Sequence, residues 1–415
     1  MSSLVIICNN SVYMFSNGIK MIIKKHLHEL SSLRFFAAFA IVVLHFRDYL
    51  GVENEALMTF LISGQYGVTF FFILSGFILT YNYESWFGKS VSVNQFWKFQ
   101  QLRFARLYPV YIFALVLNSV LQISVRGNNG EFAGQEIYYW SSWVINAVAL
   151  QSWVPGTPYT LVWNTPSWSI STELFFYICF PLICYWLVKY LESFKKLIWF
   201  LIALLIISSG IYVVVLDQIY YKHSLPSGTS YSIQYFTPLF RLPEFIAGCV
   251  GGKLFLMEDS ETQRFKNLLF GSETKRNVII LISTVWFFSR IYTTGYADNN
   301  EAYWLLNNSV KFSILLIPFL GIILALSMGQ TFISKFLNLP FLILLGESSY
   351  ALYITHWSFV SFYSLGFLPT NYQSPFMAII FMLLSVAFSI LIYKTIEIPM
   401  KTKLRGAKTP QPSSV

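Results

Sequence analysis

Charged side chains are scarce in this chain. Asp, Glu, Lys and Arg make up 11% of its 415 residues, whereas 55% are apolar. Soluble domains carry about 25% charged residues, because their surface must interact with water. The composition also lacks the polar bias of disordered chains and the glycine period of fibrous ones. The sequence therefore predicts an integral membrane protein with many spans.

Cysteine is rare, and no cysteine has the spacing of a redox or metal site. The four cysteines include no CxxC motif and no Cys/His cluster. Cys179, Cys184 and Cys249 lie in apolar segments, where cysteine is typical of a small core residue. We therefore expect a function that uses no metal.

The ends of the chain lack recognisable targeting or domain features. Residues 1–30 show no signal-peptide pattern and are interpreted as an N-terminal cytoplasmic segment, with Met21 as an alternative start. Residues 31–398 are interpreted as one transmembrane domain. Residues 399–415 are interpreted as a disordered cytoplasmic tail.

Ten segments are long and apolar enough to cross a bilayer. A spanning helix needs about 20 mostly apolar residues to cross about 30 Å of hydrocarbon. The stretch 138–152 is shorter and less apolar, so we interpret it as an interfacial or re-entrant piece. This pattern predicts an all-α polytopic fold. The ten predicted spans are 32–50, 65–82, 104–124, 167–189, 196–216, 236–256, 277–293, 307–327, 339–363 and 374–394.

The basic residues favour ten spans with both termini in the cytoplasm. In this arrangement 22 Lys and Arg residues fall on the inner side and six on the outer side, in agreement with the positive-inside rule. Counting 138–152 as a span would place Lys189, Lys195 and Lys196 outside. Topology and anionic membrane lipids thus explain the net charge of +9, and no nucleic acid partner is expected.

Ionisable residues inside spans are costly, so each is a candidate for function. Arg34 and His45 are eleven residues apart on the first span, which places them within about 20° of one helix face. Arg103 and Arg106 share a face at the inner end of the third span and suit a phosphate-rich cytosolic ligand. The alternatives are topology anchors for the arginines and a helix–helix hydrogen bond for His45.

The fourth span begins near Pro166 and carries Ser169 and Glu173 on one face. Counted from the outer ends of their spans, Glu173 is about 10 Å deep and His45 about 8 Å deep. We therefore predict that the carboxylate binds the imidazole and raises its basicity. A buried structural pair is the alternative.

Further ionisable residues lie on later spans. Arg241 and Glu244 are spaced to pair with each other, and a structural ion pair is the favoured interpretation. His356 lies in the outer half of the ninth span, where a packing role is common. Glu347 and Glu397 lie toward the inner side, where we favour structural roles. The whole layout suits a cytosolic charged donor and an external acceptor.

In these segments the sequence resembles the membrane-bound acyltransferase family 3, which includes bacterial O-acetylases of lipopolysaccharide and other glycans. Six blocks appear in the family's order over about residues 30–400. No C-terminal esterase-like domain follows them, so the resemblance is to the stand-alone branch. The blocks are Arg34-X10-His45, Gly67–Phe77, Arg103–Pro109, Pro166–Tyr177, Gly346–His356 and Glu397–Pro399.

The resemblance implies an acyl-CoA donor, most often acetyl-CoA, and a sugar hydroxyl of O-antigen or exopolysaccharide as acceptor, at a bacterial inner membrane. Arg34, Arg103 and Arg106 would bind the CoA phosphates. His45, oriented by Glu173, would act as general base or carry the acyl group as acyl-imidazole, and both roles stay open.

The resemblance also implies secondary candidates. His356 would assist catalysis by positioning the acceptor or stabilising an oxyanion. The predicted substrate-binding residues are Arg241, Glu244, Trp168 and Ser169.

Two other functions stay open at the level of sequence. A transporter or flippase also uses buried ionisable residues, although the inverted repeats and paired broken helices of many transporters are not evident. A polyprenyl-phosphate glycosyltransferase is the second alternative, although the longest predicted outer loop, 125–165, is short for it. Acceptor choice is expected to depend on the loops 125–165 and 217–235.

Overall fold

A computed structural model gives the fold of most of the chain. Three short strands, Leu4–Cys8, Ser11–Ser16 and Ile19–Lys24, form an antiparallel sheet at the N-terminus. The described residues that follow are helices and connecting loops, which confirms the predicted all-α class of the membrane domain. The residues that the structure describes are 4–8, 11–16, 19–24, 26–127, 129–154, 157–216, 233, 235–293, 313–365, 367 and 374–405.

Fifteen helices are labelled here in chain order. Short 3-10, π-helical or single-turn segments join several of them, among them Thr165–Ser167 before α6. The helices are α1 His28–Phe46, α2 Glu55–Ile62, α3 Tyr66–Phe87, α4 Val93–Gln122, α5 Glu136–Ala147, α6 Trp168–Tyr190, α7 Phe194–Leu216, α8 Pro238–Leu256, α9 Ser260–Phe270, α10 Glu273–Thr293, α11 Leu316–Met328, α12 Pro340–Glu347, α13 Ser349–Ser364, α14 Pro375–Ile392 and α15 Ile398–Arg405.

Helices lie at all ten predicted span positions, and within the described part of the chain six meet the length and composition of a membrane span. The remaining four positions carry helices that are shorter or more polar. The number ten and the cytoplasmic placement of both termini stay predictions. The six are His28–Tyr49, Glu55–Phe87, Val93–Gly127, Thr165–Tyr190, Phe194–Val215 and Pro375–Leu404.

Helix α4 begins well before the apolar segment predicted from the sequence. Its first residue is Val93, whereas the predicted span begins at residue 104. A capping box explains the early start, because the Ser92 hydroxyl accepts from the Gln95 amide and the Gln95 side chain accepts from the Ser92 amide. A hydropathy search detects only the apolar part of a helix, so it did not include the polar first residues of α4.

Two predicted segments have a different shape in the structure. The ninth predicted span is divided at Ser348 into α12 and α13, where the Ser349 hydroxyl donates to the Gly346 carbonyl. In the stretch 138–152, helix α5 has 12 residues, which is too short to cross a bilayer.

The predicted tail is partly helical. Residues 398–405 form α15, packed near the start of α4 through a hydrogen bond from Gln101 to the Leu404 carbonyl at 2.9 Å. This corrects the interpretation of 399–405 as disordered. Residues 406–415, the predicted loop residues 217–232 and 234, and residues 307–312 of the eighth predicted span lie outside the described residues.

Small residues allow the closest helix contacts. On α8, a Cβ added at Gly248 would overlap the carbonyl oxygen of Ile73 on α3, and one added at Gly76 on α3 would overlap the carbonyl oxygen of Phe245. A similar contact joins Gly346 on α12 to the backbone of Ser31 on α1. Close backbone approach is the usual way in which membrane helices gain packing energy, and here it holds α3 against α8.

We predict that Gly248→Ala lowers the apparent melting temperature of the detergent-solubilised protein by several degrees, because α3 and α8 must separate to admit the methyl group. The matched control is Gly210→Ala on α7, where nothing lies within 4 Å of the added Cβ. Fluorescence-detected size-exclusion after heating measures both. Equal melting temperatures for the two variants would contradict the packing argument.

Candidate active site

A polar cavity lies between α1, α3, α4, α6 and the α12–α13 pair. Together with the open solvent at its mouth, it spans about 780 Å³ that protein atoms do not fill. We call it the basic cavity. Its charged lining residues are Arg34, Arg103, Arg106, Glu173 and Glu347. The structure thus brings together the three arginines that the sequence predicted to act together.

The arginines of the basic cavity are held differently. Arg103 is buried, donates to the Tyr83 hydroxyl at 2.7 Å and lies over the rings of Tyr83 and Phe99. Arg106 is half-buried, and its charge interacts with those of Glu173 and Glu397. Aromatic packing therefore fixes the first guanidinium, and carboxylates on α6 and beside α14 attract the second.

Glu173 is anchored within the basic cavity. Its Oε1 accepts from Ser75 at 3.0 Å and from Tyr177 at 2.5 Å. The i,i+4 spacing of Glu173 and Tyr177 on α6 brings the hydroxyl to the carboxylate. Ser169, one turn earlier, also lines this cavity, as its spacing from Glu173 predicted.

A second cavity surrounds the other end of α1. Together with the open solvent at its mouth, it spans about 890 Å³ that protein atoms do not fill. It is lined by His45 and Arg47, and by Gln65 from the turn directly before α3. Trp168, Tyr235 and Phe236 add aromatic faces. We call it the imidazole cavity.

His45 contacts His356 in the structure, and the predicted hydrogen bond to Glu173 is not formed. The distance from His45 Nδ1 to His356 Nε2 is 2.9 Å. His45 shares its cavity with Trp168, the first residue of α6, whereas Glu173 lies five residues farther along, about 7 to 8 Å along the helix axis. The predicted pair does not form because His45 packs against α13 through His356, whereas Glu173 bonds to Ser75 on α3.

One wall separates the two cavities. Val68 on α3 and Tyr353 on α13 line both of them, and each side chain is nearly buried. The Tyr353 hydroxyl is held by Ser169 Oγ at 2.7 Å and by the Pro166 carbonyl at 2.9 Å. The basic and imidazole cavities therefore meet at a valine and a tethered tyrosine.

A buried polar network fixes the turn that forms the side of the imidazole cavity. Gln151 donates to the Ser167 carbonyl at 2.8 Å, and Asn164 donates to the Ile354 carbonyl at 3.1 Å. Asn146 is held by Tyr111, whose hydroxyl donates to its carbonyl at 2.5 Å. Because backbone outside a helix must find partners in an apolar interior, these side chains stabilise residues 165–167.

Arg241 and Glu244 form the structural ion pair that the sequence favoured. Their closest atoms are 3.3 Å apart, both side chains are buried, and Thr69 bonds to each of them. Neither lines the basic or the imidazole cavity. Trp168 lies over the Arg241 guanidinium and also lines the imidazole cavity. Two of the four predicted substrate-binding residues, Trp168 and Ser169, therefore line one of the two cavities.

Several polar residues of the two cavities were not singled out by sequence reasoning. Ser75, Tyr177, Tyr350 and Tyr353 line the basic cavity. All four fall inside the recognised sequence blocks. The i,i+4 spacing of Tyr177 from Glu173 could have indicated that these two side chains lie on the same helix face. The Tyr353 position depends on how α13 packs against α6, which no local pattern reveals.

These features define a class of protein. Apolar helices of membrane-spanning length enclose two polar cavities that carry arginines, a carboxylate and an imidazole. Within the described residues no three His, Cys, Asp or Glu side chains form a metal-binding group. The chain is an integral membrane protein with a buried ionisable site.

The chain belongs to the acyltransferase family 3. The family model, described as an acyltransferase domain, matches residues 27–394, which is nearly the whole chain. The resemblance read from six sequence blocks is thereby confirmed.

Curated relatives agree with this membership. The chain is 32% identical to acyltransferase MdmB of Streptomyces mycarofaciens over 160 residues, 38% of each protein. It is 23% identical to O-acetyltransferase OatA of Staphylococcus aureus over 400 residues, 92% of this chain and 58% of OatA. It is 23% identical to a putative O-acetyltransferase of the same species over 401 residues, 94% of this chain and 60% of that protein. The chain thus spans 38% to 60% of these relatives. No solved structure matches it.

We predict that Arg241→Met lowers the apparent melting temperature strongly, because it leaves Glu244 buried without its cation, at a cost of about 3–5 kcal/mol. The double variant Arg241→Met/Glu244→Met removes both charges and is expected to recover most of the loss. Thermal unfolding followed by tryptophan fluorescence measures both. The control is Arg126→Met, which breaks the exposed pair with Glu131 and is expected to cost at most about 1 kcal/mol. A double variant as unstable as the single one would argue against a structural pair.

Proposed function

We propose that this protein is a membrane O-acyltransferase that moves an acetyl group from cytosolic acetyl-CoA to a sugar hydroxyl of a bacterial surface glycan, such as O-antigen or exopolysaccharide, at the inner membrane. The observation that carries the proposal is the common wall of two unlike cavities. One cavity carries three arginines, the other carries His45, and Val68 and Tyr353 belong to both.

The basic cavity suits the donor. Arg34, Arg103 and Arg106 present guanidinium groups, which bind phosphate oxygens through charge-assisted, paired hydrogen bonds. The cavity also has apolar walls from α3, including Phe71 and Leu74, which suit the uncharged arm of the CoA molecule. The positive-inside distribution of the sequence supports a cytosolic opening at the Arg34 end of α1.

The imidazole cavity suits the acceptor. Trp168, Tyr235 and Phe236 supply flat apolar faces, and Gln65 and Arg47 supply polar groups for hydroxyls. His45 provides a titratable nitrogen at the same place. A sugar bound here would have its hydroxyl beside the imidazole.

The chemistry requires both sides of the wall. His45 accepts the proton of the sugar hydroxyl while the hydroxyl oxygen attacks the thioester carbonyl. A C–O bond forms and the C–S bond breaks. The CoA thiolate then takes the proton from the imidazolium. Tyr353 and Ser169 form part of the wall beside this reaction, where their hydroxyls bond to each other and to the Pro166 carbonyl.

Family membership favours this function over transport. The family is described as an acyltransferase domain, and two of the matched relatives bear the name O-acetyltransferase. Buried ionisable residues alone fit a flippase equally well, whereas an arginine-lined cavity that shares a wall with an imidazole cavity suits group transfer.

We predict that Arg106→Ala and His45→Ala separate donor binding from transfer. Arg106→Ala should raise the dissociation constant for acetyl-CoA by about 10- to 100-fold, as expected for the loss of one charge-assisted contact of about 1.5–3 kcal/mol. His45→Ala should leave that constant unchanged and reduce acetyl transfer by at least about 100-fold. Calorimetry in detergent measures binding, and radiolabelled acetyl-CoA in proteoliposomes supplied with membrane glycan measures transfer.

The matched control is Arg264→Ala on α9, an exposed arginine, which should change neither quantity. Unchanged acetyl-CoA binding in Arg106→Ala would contradict the proposal that the basic cavity binds acetyl-CoA. Normal transfer by His45→Ala would remove the imidazole from the mechanism. Transport of a lipid-linked glycan without acetyl transfer would favour the flippase.

We also predict that Val68→Ala broadens the range of acyl groups transferred, because it removes two methyl groups from the wall between the cavities. The ratio of kcat/KM for butyryl-CoA to that for acetyl-CoA should rise by about 10-fold, the discrimination expected for one or two methylene groups. Val93→Ala, an exposed valine at the first residue of α4, is the control and should leave the ratio unchanged. If Val68→Ala has the wild-type ratio of kcat/KM for butyryl-CoA to that for acetyl-CoA, the acyl group does not pass between the cavities at Val68.

A further inference from the structure

His356 is buried beside His45, yet neither cavity includes it in its lining. Its relative exposure is 0%. Its two ring nitrogens contact two different groups, since Nδ1 lies 3.2 Å from the Leu352 carbonyl oxygen and Nε2 lies 2.9 Å from His45 Nδ1. The residue therefore touches the proposed base without facing the space in which substrates would bind.

The Leu352 carbonyl determines where His356 carries its proton. A carbonyl oxygen can only accept a hydrogen bond, so His356 Nδ1 must donate. In a neutral imidazole the other nitrogen then has no hydrogen and accepts. A charged His356 is disfavoured because it would be fully buried with a second imidazole against its other nitrogen. His356 Nε2 is therefore an acceptor.

This acceptor determines the tautomer of His45. Because His356 Nε2 accepts, His45 Nδ1 must carry the hydrogen of the 2.9 Å bond. The ring planes differ by 20° and the centroids are 5.1 Å apart, a separation larger than the nitrogen–nitrogen distance, as expected for two rings joined edge to edge. The geometry fits a directed hydrogen bond.

We infer that His356 is a positioning residue that holds His45 as the Nδ1–H tautomer, with the lone pair of Nε2 turned toward the imidazole cavity. The helical carbonyl of Leu352 is the fixed end of this chain of two hydrogen bonds. The inference rests on the proposed function for its kinetic consequence. The contacts alone establish that His45 donates and His356 accepts in this hydrogen bond, and they thereby establish the tautomer of His45.

The kinetic experiment compares two replacements of His356 in proteoliposomes. His356→Gln keeps an acceptor oxygen near the position of Nε2, and His356→Phe keeps the volume without any acceptor. His356→Phe should lower kcat for acetyl transfer by about 100-fold or more, since a base in the wrong tautomer cannot take the proton. His356→Gln should stay within about 10-fold of wild type. Neither should change the KM for acetyl-CoA.

A control variant separates positioning from packing. Thr355→Val removes a hydroxyl that bonds to the Ala351 carbonyl at 2.7 Å in the same buried turn of α13, and it should leave kcat within about threefold. Equal kcat values for the Gln and Phe variants, both folded by size-exclusion, would overturn the positioning role while His45→Ala could still confirm the proposed function.

A spectroscopic measurement tests the tautomer without any activity. Solid-state NMR of protein with ¹⁵N-labelled histidine distinguishes a nitrogen that carries hydrogen from one that does not, and the difference from His45→Gln identifies the His45 signals. In the wild type we expect His45 Nδ1 to carry hydrogen and His45 Nε2 to carry none. In His356→Phe we expect this preference for one tautomer to be lost. A wild-type His45 with hydrogen on Nε2 alone would refute the inference even if acetyl transfer is observed.

Discussion

A polar group inside a bilayer needs either a partner or a polar cavity, and the arrangement of this membrane domain follows from that constraint. Arg103 lies against aromatic rings and the Tyr83 hydroxyl, and Arg241 pairs with Glu244. Glu173 accepts two hydroxyls, and His45 bonds to a second histidine. The partners Tyr83, Ser75 and His356 lie on other helices than the groups they bind, so satisfying these polar groups also fixes how the helices pack.

The two cavities result from the same packing. Helices α3 and α8 approach closely through glycine, and α12 lies on α1 through Gly346. Tyr353 on α13 and Val68 on α3 each line both cavities, so the polar interior has a basic part and an imidazole part that meet at these two residues. In the proposed function, the donor and the acceptor bind on opposite sides of this division, and only the acyl group passes it. If the proposed function holds, this arrangement allows acyl transfer without either whole substrate leaving its own cavity.

Much of this could be predicted from the sequence. Hydropathy located helices at all ten predicted positions, and helical spacing placed Arg103 with Arg106 and Ser169 with Glu173. The capped start of α4 and the division at Ser348 were missed, because they depend on side-chain hydrogen bonds rather than on apolar length. The pairing of His45 with Glu173 was wrong, because counting from span ends does not reveal which helices face each other, and His356 of α13 is the residue that contacts His45.

The sequence by itself determined the membrane class, the family and the identities of the ionisable residues, because composition and short-range spacing are properties of the chain alone. Tertiary structure decided which of those residues meet. His45 and His356 are 311 positions apart, and Ser75 and Glu173 are 98 positions apart, so no local periodicity relates them. Their contacts depend on how whole helices rotate and slide against each other, which packing at Gly76, Gly248 and Gly346 sets to within the size of a methyl group.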